Sequence, residues 1–152
     1  MVLLLRAVDP AIKLVGSTGD VNTGYTPDYI PTLMASSIYK PDVVSFHGYG
    51  GWDNSQGDLE IFDGGPDTDG LASIVNRVDQ VRAWAPGKPI WITEMNVNSD
   101  WGNDPAKRPW TAYGVAWGAA AFRNLALKGV ELINQFDFRY SASCGPKTCW
   151  HY

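Results

Sequence analysis

A carboxylate stands at the end of a short apolar run in the second half of the chain. Glu94 follows residues 90–93 (Ile-Trp-Ile-Thr), which begin directly after a Gly-Lys-Pro turn. A β-branched and aromatic run bounded by turn residues is typical of a buried strand in a parallel sheet. Because the carboxyl ends of such strands carry the chemistry in α/β folds, Glu94 is a candidate catalytic acid. The alternative is a strand-end glutamate in an ordinary salt bridge.

Further groups that could meet a ligand follow the same pattern. His47 and Tyr49 come at the end of the preceding apolar run, and Trp52 and Trp101 lie in the polar loops after the two runs. Histidine can donate to a carboxylate, and tryptophan can stack on the apolar face of a sugar ring. The alternatives are a histidine satisfied within the core and tryptophans packed beneath their own loops.

Composition narrows the class of protein. The 152 residues are 45% hydrophobic and 18% charged, which predicts one globular domain over residues 1–152. A formal charge of -4, without a run of Lys and Arg, argues against nucleic-acid binding. No apolar stretch is long enough to cross a membrane, so no membrane partner is expected.

Helical and strand-like segments alternate along the chain. The predicted strands are Ile12–Gly16, Asp42–His47, the run that ends at Glu94, and Val130–Phe138. The predicted helices are Val2–Val8, Pro27–Ser37, Leu71–Ala83 and Trp110–Leu127, the last of which ends at Lys128-Gly129 in the manner of a C-cap. Alternating strands and helices with right-handed crossovers predict an α/β fold with four parallel strands. The polar segments that follow the strands are longer than those that precede them, as at the catalytic end of a (β/α) barrel, so the chain reads as half of a (β/α)8 barrel.

Four segments resemble one enzyme family. Ile-Lys-Leu-Val-Gly, Val-Ser-Phe-His-Gly-Tyr, Pro-Ile-Trp-Ile-Thr-Glu-Met-Asn and Asn-Gln-Phe-Asp-Phe are similar to strands five to eight of the clan A retaining (β/α)8 glycoside hydrolases. The resemblance is nearest to the β-xylosidase and α-iduronidase group, and it covers nearly the whole chain. It implies hydrolysis of O-glycosidic bonds, with Glu94 as the nucleophile that faces an oxocarbenium-like transition state.

The resemblance also implies a set of substrate-binding residues. These are His47, Tyr49, Trp52, Asn96, Trp101, Gln135 and Asp137. The chain departs from the family in two places. No Asn-Glu pair is present to supply the acid/base that the family carries on strand four, and the fourth predicted strand ends without the tryptophan that the family has there.

A half-barrel has two open strand edges, so we expect a homodimer that completes an eight-stranded barrel. We expect a carbohydrate substrate, no cofactor and no metal, since the sequence has no nucleotide-binding or metal-ligating motif. Cys144 and Cys149 are either free thiols or a small disulfide loop, and a secreted or periplasmic location is favoured over a cytoplasmic one. Two other functions stay open: a non-catalytic carbohydrate-binding or assembly module, and an unrelated barrel in which Glu94 abstracts a proton.

Overall fold

The computed structural model describes residues 2–16, 19, 29–52, 55–64, 70–100 and 103–136. Its four strands are β1 (Val15–Gly16), β2 (Val43–Tyr49), β3 (Ile90–Asn96) and β4 (Leu132–Gln135). The helices are α1 (Val2–Val8), α2 (Tyr29–Ala35), α3 (Asp58–Asp63), α4 (Leu71–Trp84) and α5 (Ala112–Leu127), with a 3-10 turn at Arg108–Trp110. The strands form one sheet in the order β1-β2-β3-β4, and every neighbouring pair is parallel. The predicted α/β fold with four parallel strands is confirmed.

One face of the sheet and the helices enclose the hydrophobic core. Alternate residues of the two central strands are fully buried there, namely Val44, Phe46, Ile90 and Ile92. They form one cluster with apolar side chains of the long helices, namely Ile74, Val78 and Val81 of α4 and Trp117, Ala121 and Leu125 of α5. Successive side chains of a strand point to opposite faces. We call the opposite face of the sheet the helix-free face, and it is there that polar side chains gather.

The first strand is shorter than predicted. The sequence indicates Ile12–Gly16, whereas regular pairing covers Val15 and Gly16 alone. The Leu14 carbonyl accepts hydrogen bonds from the backbone N–H groups of both Asp42 and Val43, so regular pairing with β2 begins only after it.

The second helix, predicted over Pro27–Ser37, ends at Ala35, two residues before the predicted end. The Ser36 hydroxyl accepts the N–H groups of Ile38 and Tyr39 at 3.2 and 3.1 Å, and this local turn replaces further helical bonds. Ile38 lies beyond the end of the helix and is 51% exposed.

A short helix lies within the segment between β2 and α4 that the sequence indicates to be a loop. It is α3, and its buried residue is Ile61. Asp58 and Glu60 in its first turn suit the positive end of the helix dipole. Six residues carry too little periodicity to be recognised, so the sequence pattern missed it. None of the described helices is both long and apolar enough to cross a membrane.

Asp42 fastens α1 to the sheet and gives the fold a pH-dependent contact. Its carboxylate accepts the Leu14 N–H at 2.8 Å and two bonds from Arg6 at 2.9 and 3.1 Å. The Leu14 N–H, followed by the Arg6 guanidinium, outweighs partial burial and lowers the pKa of Asp42.

Because the folded pKa lies below the unfolded one, Asp42 stabilises the fold at neutral pH, and this contribution is lost as the pH falls below about 4. Asp42→Asn should therefore cost about 1–2 kcal/mol of unfolding free energy at pH 7 and much less at pH 3. Urea titrations of both proteins at the two pH values measure this difference. An equal cost at both values would contradict it.

Candidate functional site

An extra residue in β3 decides which way Glu94 points. Ile92 pairs with Phe46 of β2, but Glu94 pairs with the very next residue, His47, so Thr93 has no partner of its own. The register against β4 shifts in the same stretch. In a regular strand Glu94 would share a face with Ile92 and point into the core. The bulge moves it to the helix-free face and puts Met95, which is fully buried, in the core instead.

Two glycines position the neighbouring strand β2. A Cβ atom at Gly48 would lie 2.8 Å from Ile74 of α4, and one at Gly50 would lie 2.8 Å from the indole of Trp117 of α5. The core side of this strand end is therefore pressed against both long helices. His47 and Tyr49, which alternate with these glycines, lie on the helix-free face beside Glu94.

The three side chains form a compact cluster. The Tyr49 hydroxyl donates to Glu94 Oε1, and His47 Nδ1 lies 3.6 Å from Glu94 Oε2. Tyr49 is 6% exposed, whereas the side chains of Glu94 and His47 are 27% and 21% exposed. A carboxylate that is oriented by a hydrogen bond yet open to solvent can act as a nucleophile or a general base.

Tyr49→Phe should remove the donor to Glu94 and leave the packing of the ring intact. A hydrogen bond to a charged group contributes about 1.5–3 kcal/mol, so any reaction that depends on Glu94 should slow roughly 10- to 100-fold. The rate of covalent labelling of Glu94, described below, is the measurement. An unchanged rate together with an unchanged melting temperature would contradict this role for Tyr49.

Two other predicted site residues, Asn96 and Gln135, do not line the space beside Glu94. Asn96 is 5% exposed, and its amide donates to the Phe136 carbonyl while accepting the Val97 N–H at 2.7 Å, so it joins the ends of β3 and β4. Gln135 pairs with the core residue Met95, and this register puts it on the core side of the sheet rather than beside Glu94. The helix-free position at this point of β4 belongs to Asn134, an exposed residue that sequence reasoning missed.

Trp52 lies just beyond the end of β2, at the same edge of the sheet as Glu94, and is 52% exposed. Its backbone N–H donates to Gln56 Oε1 at 2.8 Å. The predicted binding residues Trp101 and Asp137 lie outside the described residues, as do Cys144 and Cys149.

A buried arginine joins the two loops that border this edge, and sequence reasoning missed it, because its only local signal is the Asp104-x3-Arg108 spacing. Arg108 Nη1 donates to Asp104 at 2.9 Å, Nε to Asp58 at 2.6 Å, and Nη2 to the Gln56 carbonyl at 2.9 Å. Its backbone N–H also donates to Asp104 at 3.0 Å. Asp104 is fully buried and Arg108 is 7% exposed. Arg108 therefore couples the segment after β2, which carries Trp52, to the segment after β3.

Tyr113 of α5 completes the contact with α3. Its hydroxyl donates to the Asp58 carbonyl at 2.5 Å, and its ring meets that of Phe62 edge-on, with centroids 6.2 Å apart. Burial, with the charge of Asp58 adding to it and that of Arg108 opposing it, raises the pKa of Tyr113 to about 12. The hydroxyl therefore stays a donor throughout the neutral range. In the described part of the chain, no three His, Cys, Asp or Glu side chains come together in a way that could hold a metal ion.

Comparison with known proteins bears on the fold. No protein-family model and no curated protein matches this chain. Among solved structures, it is similar to a bifunctional glucanase-xylanase from a metagenome library, with a TM-score of 0.52 and 16% sequence identity. The match covers 86% of this chain and 33% of the other, so this chain spans about a third of that protein's length. The chain has a glycosidase-like α/β fold.

Proposed function

We propose that this chain carries the nucleophile half of the active site of a retaining glycoside hydrolase, and that Glu94 is the nucleophile. The observation that carries the proposal is the cluster on the helix-free face, where the Tyr49 hydroxyl donates to one oxygen of a solvent-accessible carboxylate and His47 Nδ1 lies 3.6 Å from the other. The glycosidase-like fold supports it, because such folds place their chemistry at the carboxyl ends of the strands. The similarity of the Thr93-Glu94 and His47-x-Tyr49 segments to clan A enzymes, nearest the β-xylosidase and α-iduronidase group, supports it independently.

The chemistry follows from this arrangement. An oxygen of Glu94 attacks the anomeric carbon, and the bond from that carbon to the leaving oxygen breaks, with its electron pair going to the leaving oxygen. Water then displaces Glu94 from the glycosyl-enzyme and restores the anomeric configuration. The Tyr49 hydroxyl fixes the attacking group before reaction, so little reorganisation is needed in the transition state.

A sugar leaving group also needs a proton. On the helix-free positions of the four described strands, Glu94 is the acidic residue, and none of the others there could serve as a carboxylic acid donor. We therefore expect the chain to react with activated glycosides, whose leaving group departs as a stable phenolate without protonation.

Covalent labelling tests the proposal. The chain is incubated with dinitrophenyl fluoro-glycosides of xylose and glucose, the sugar classes after which the similar glucanase-xylanase is named. The electronegative fluorine slows hydrolysis of the glycosyl-enzyme, so stoichiometric phenolate release and a fluoro-sugar on the peptide that contains Glu94 are expected. A label on Glu94 would also decide against proton abstraction as its role. A label on another residue, or none on the peptide that contains Glu94, would overturn the assignment.

The second candidate is a carbohydrate-binding or assembly module without turnover. It is favoured by the single carboxylate on the described helix-free positions, since a retaining site needs two carboxyl groups about 5–5.5 Å apart. Calorimetric titration with xylo- and gluco-oligosaccharides separates the two functions. Heat of binding to an oligosaccharide, together with no release of dinitrophenolate from the activated glycosides, would favour the module.

A further inference from the structure

The backbone at Trp52 is fixed by its neighbours. Its N–H donates to the Oε1 atom of Gln56 at 2.8 Å. The carbonyl of the preceding residue, Gly51, accepts the Ser99 N–H at 2.8 Å, and this bond joins the segment after β2 to the segment after β3. Both segments lie at the edge of the sheet that carries Glu94. The chain therefore presents Trp52 from a defined position beside the candidate site.

Gln56 is itself fixed at its backbone and at its side chain. It is 7% exposed, its carbonyl accepts Arg108 Nη2 at 2.9 Å, and its Nε2 atom donates to Glu60 Oε1 at 3.4 Å. A Cβ atom at Gly51 would lie 2.9 Å from Gln56 Oε1, so glycine leaves the room that the amide needs to approach the backbone. The buried amide is thus an ordered acceptor for the Trp52 N–H.

The side chain of Trp52 contrasts with its fixed backbone. The residue is 52% exposed, whereas tryptophan is highly buried on average. An indole face can stack on the apolar face of a sugar ring. A ligand gains most from such a ring when the backbone that carries it is already ordered, because no loop then has to be fixed on binding. The hydrogen bond from Trp52 to Gln56 supplies this order.

We propose that Gln56 is a positioning residue of the sugar site: it fixes the backbone of Trp52, and Trp52 supplies the aromatic platform on which a sugar unit stacks. Gln56 acts through Trp52 and does not touch the ligand. The proposal rests on the proposed function in one respect, that the ligand is a carbohydrate. It does not require Glu94 to react, since stacking contributes to binding before any bond is broken.

Calorimetric titration of the full chain with xylotetraose and cellotetraose tests the platform. Trp52→Ala should raise the dissociation constant at least roughly tenfold, because it removes the stacking surface. Gln56→Met keeps the length of the side chain but lacks the acceptor, so it should raise the constant roughly three- to tenfold. Gln80→Met is the matched control. Gln80 is an exposed residue of α4, and the same chemical change there should leave the constant within about twofold.

A double variant separates positioning from general stability. If Gln56 acts only through Trp52, adding Gln56→Met to Trp52→Ala should weaken binding by less than about 1.5-fold more, because the ring that it positions is gone. A merely structural role would give the same further loss with or without the ring. The melting temperature of each variant checks that it is folded.

Hydrogen exchange measures the bond between Trp52 and Gln56 without any sugar. In the wild-type chain, the Trp52 amide should exchange at least roughly tenfold more slowly than an unprotected amide. In Gln56→Met this protection should be lost, while the Ser99 amide, which donates to Gly51, should stay protected. A wild-type Trp52 amide that exchanges freely would overturn the proposal even if no variant folds.

Four other outcomes would also contradict it. These are a wild-type chain that binds neither sugar, Gln56→Met binding as tightly as the wild type, an equal loss from Gln80→Met, and a full further loss in the double variant. Failure of the chemistry is distinguishable, because an unlabelled Glu94 together with weaker binding by Gln56→Met would leave the platform in place. A labelled Glu94 with unaltered binding by Gln56→Met would do the reverse.

Discussion

Glu94→Gln is expected to slow release of dinitrophenolate from activated glycosides at least roughly a thousandfold, which is the scale of losing a nucleophile. The amide has nearly the same shape as the carboxylate and still offers an oxygen to the Tyr49 hydroxyl, so the bulge and the packing should persist. What it lacks is the negative charge that attacks the anomeric carbon and balances the positive charge of the transition state. Stopped-flow absorbance of the phenolate, combined with the mass of the protein, measures the loss.

The control is another glutamate of the same sheet. Glu131 precedes β4, at the end of the sheet opposite Glu94, and its side chain is exposed. Glu131→Gln changes the net charge by the same amount as Glu94→Gln and should leave the rate within about twofold. Equal effects of the two substitutions would show that the charge of the protein, and not the position of Glu94, controls the reaction.

Arg108→Met is expected to cost about 3–5 kcal/mol of unfolding free energy, because it leaves the fully buried carboxylate of Asp104 without its partner. Methionine keeps the length of the side chain, so the loss reports on charge and hydrogen bonding more than on volume. Urea denaturation followed by tryptophan fluorescence measures it. Since Arg108 also holds the segment that carries Trp52, the variant should bind oligosaccharides more weakly even where it is still folded.

Two further variants test whether the loss of stability comes from the buried ion pair. Arg77→Met on the outside of α4, where Arg77 contacts Gln80, should change the stability by less than about 0.5 kcal/mol. The double variant Arg108→Met with Asp104→Asn removes both charges together, keeps a side-chain oxygen for the backbone N–H of Arg108, and should recover a large part of the lost stability. A double variant as unstable as the sum of both single changes would contradict the buried ion pair as the cause.

The sequence was informative where one physical signal dominated. β2 and β3 were predictable because each begins with a short run rich in β-branched and aromatic residues, and α4 and α5 because apolar residues recur with the helical period over fourteen and sixteen residues. The end of α5 was predictable because Gly129 takes a positive φ of 72°, which glycine adopts without strain. The position of Glu94 at a strand end was predictable for the same reason as the strand itself.

Other features depend on contacts between distant parts of the chain. The sequence near Asp104 and Arg108 looks like an ordinary polar loop, and its significance appears only when Asp58, some fifty residues away, is brought beside it. Likewise, nothing in the local sequence shows that Thr93 is skipped in the pairing of β3. This bulge also shifts the register against β4, and that register puts Gln135 on the core side of the sheet. These features depend on pairing between distant parts of the chain, and the local hydrophobic period and residue propensities carry no information about that pairing.

Thr93, the unpaired residue in β3, lets the direction of Glu94 and the burial of the apolar residues of the strand be set separately. In a regular strand, one would determine the other. Up to Ile92 the even-numbered residues of the strand face the core, and from Met95 onward the odd-numbered residues do. The bulge therefore turns Glu94 to the helix-free face while the apolar residues on both sides of it stay buried. Counting alternate positions from Ile90 would wrongly assign Glu94 to the interior. Anyone who transplants this reactive edge into another parallel sheet must therefore carry Thr93 along with the glutamate, even though Thr93 itself pairs with nothing.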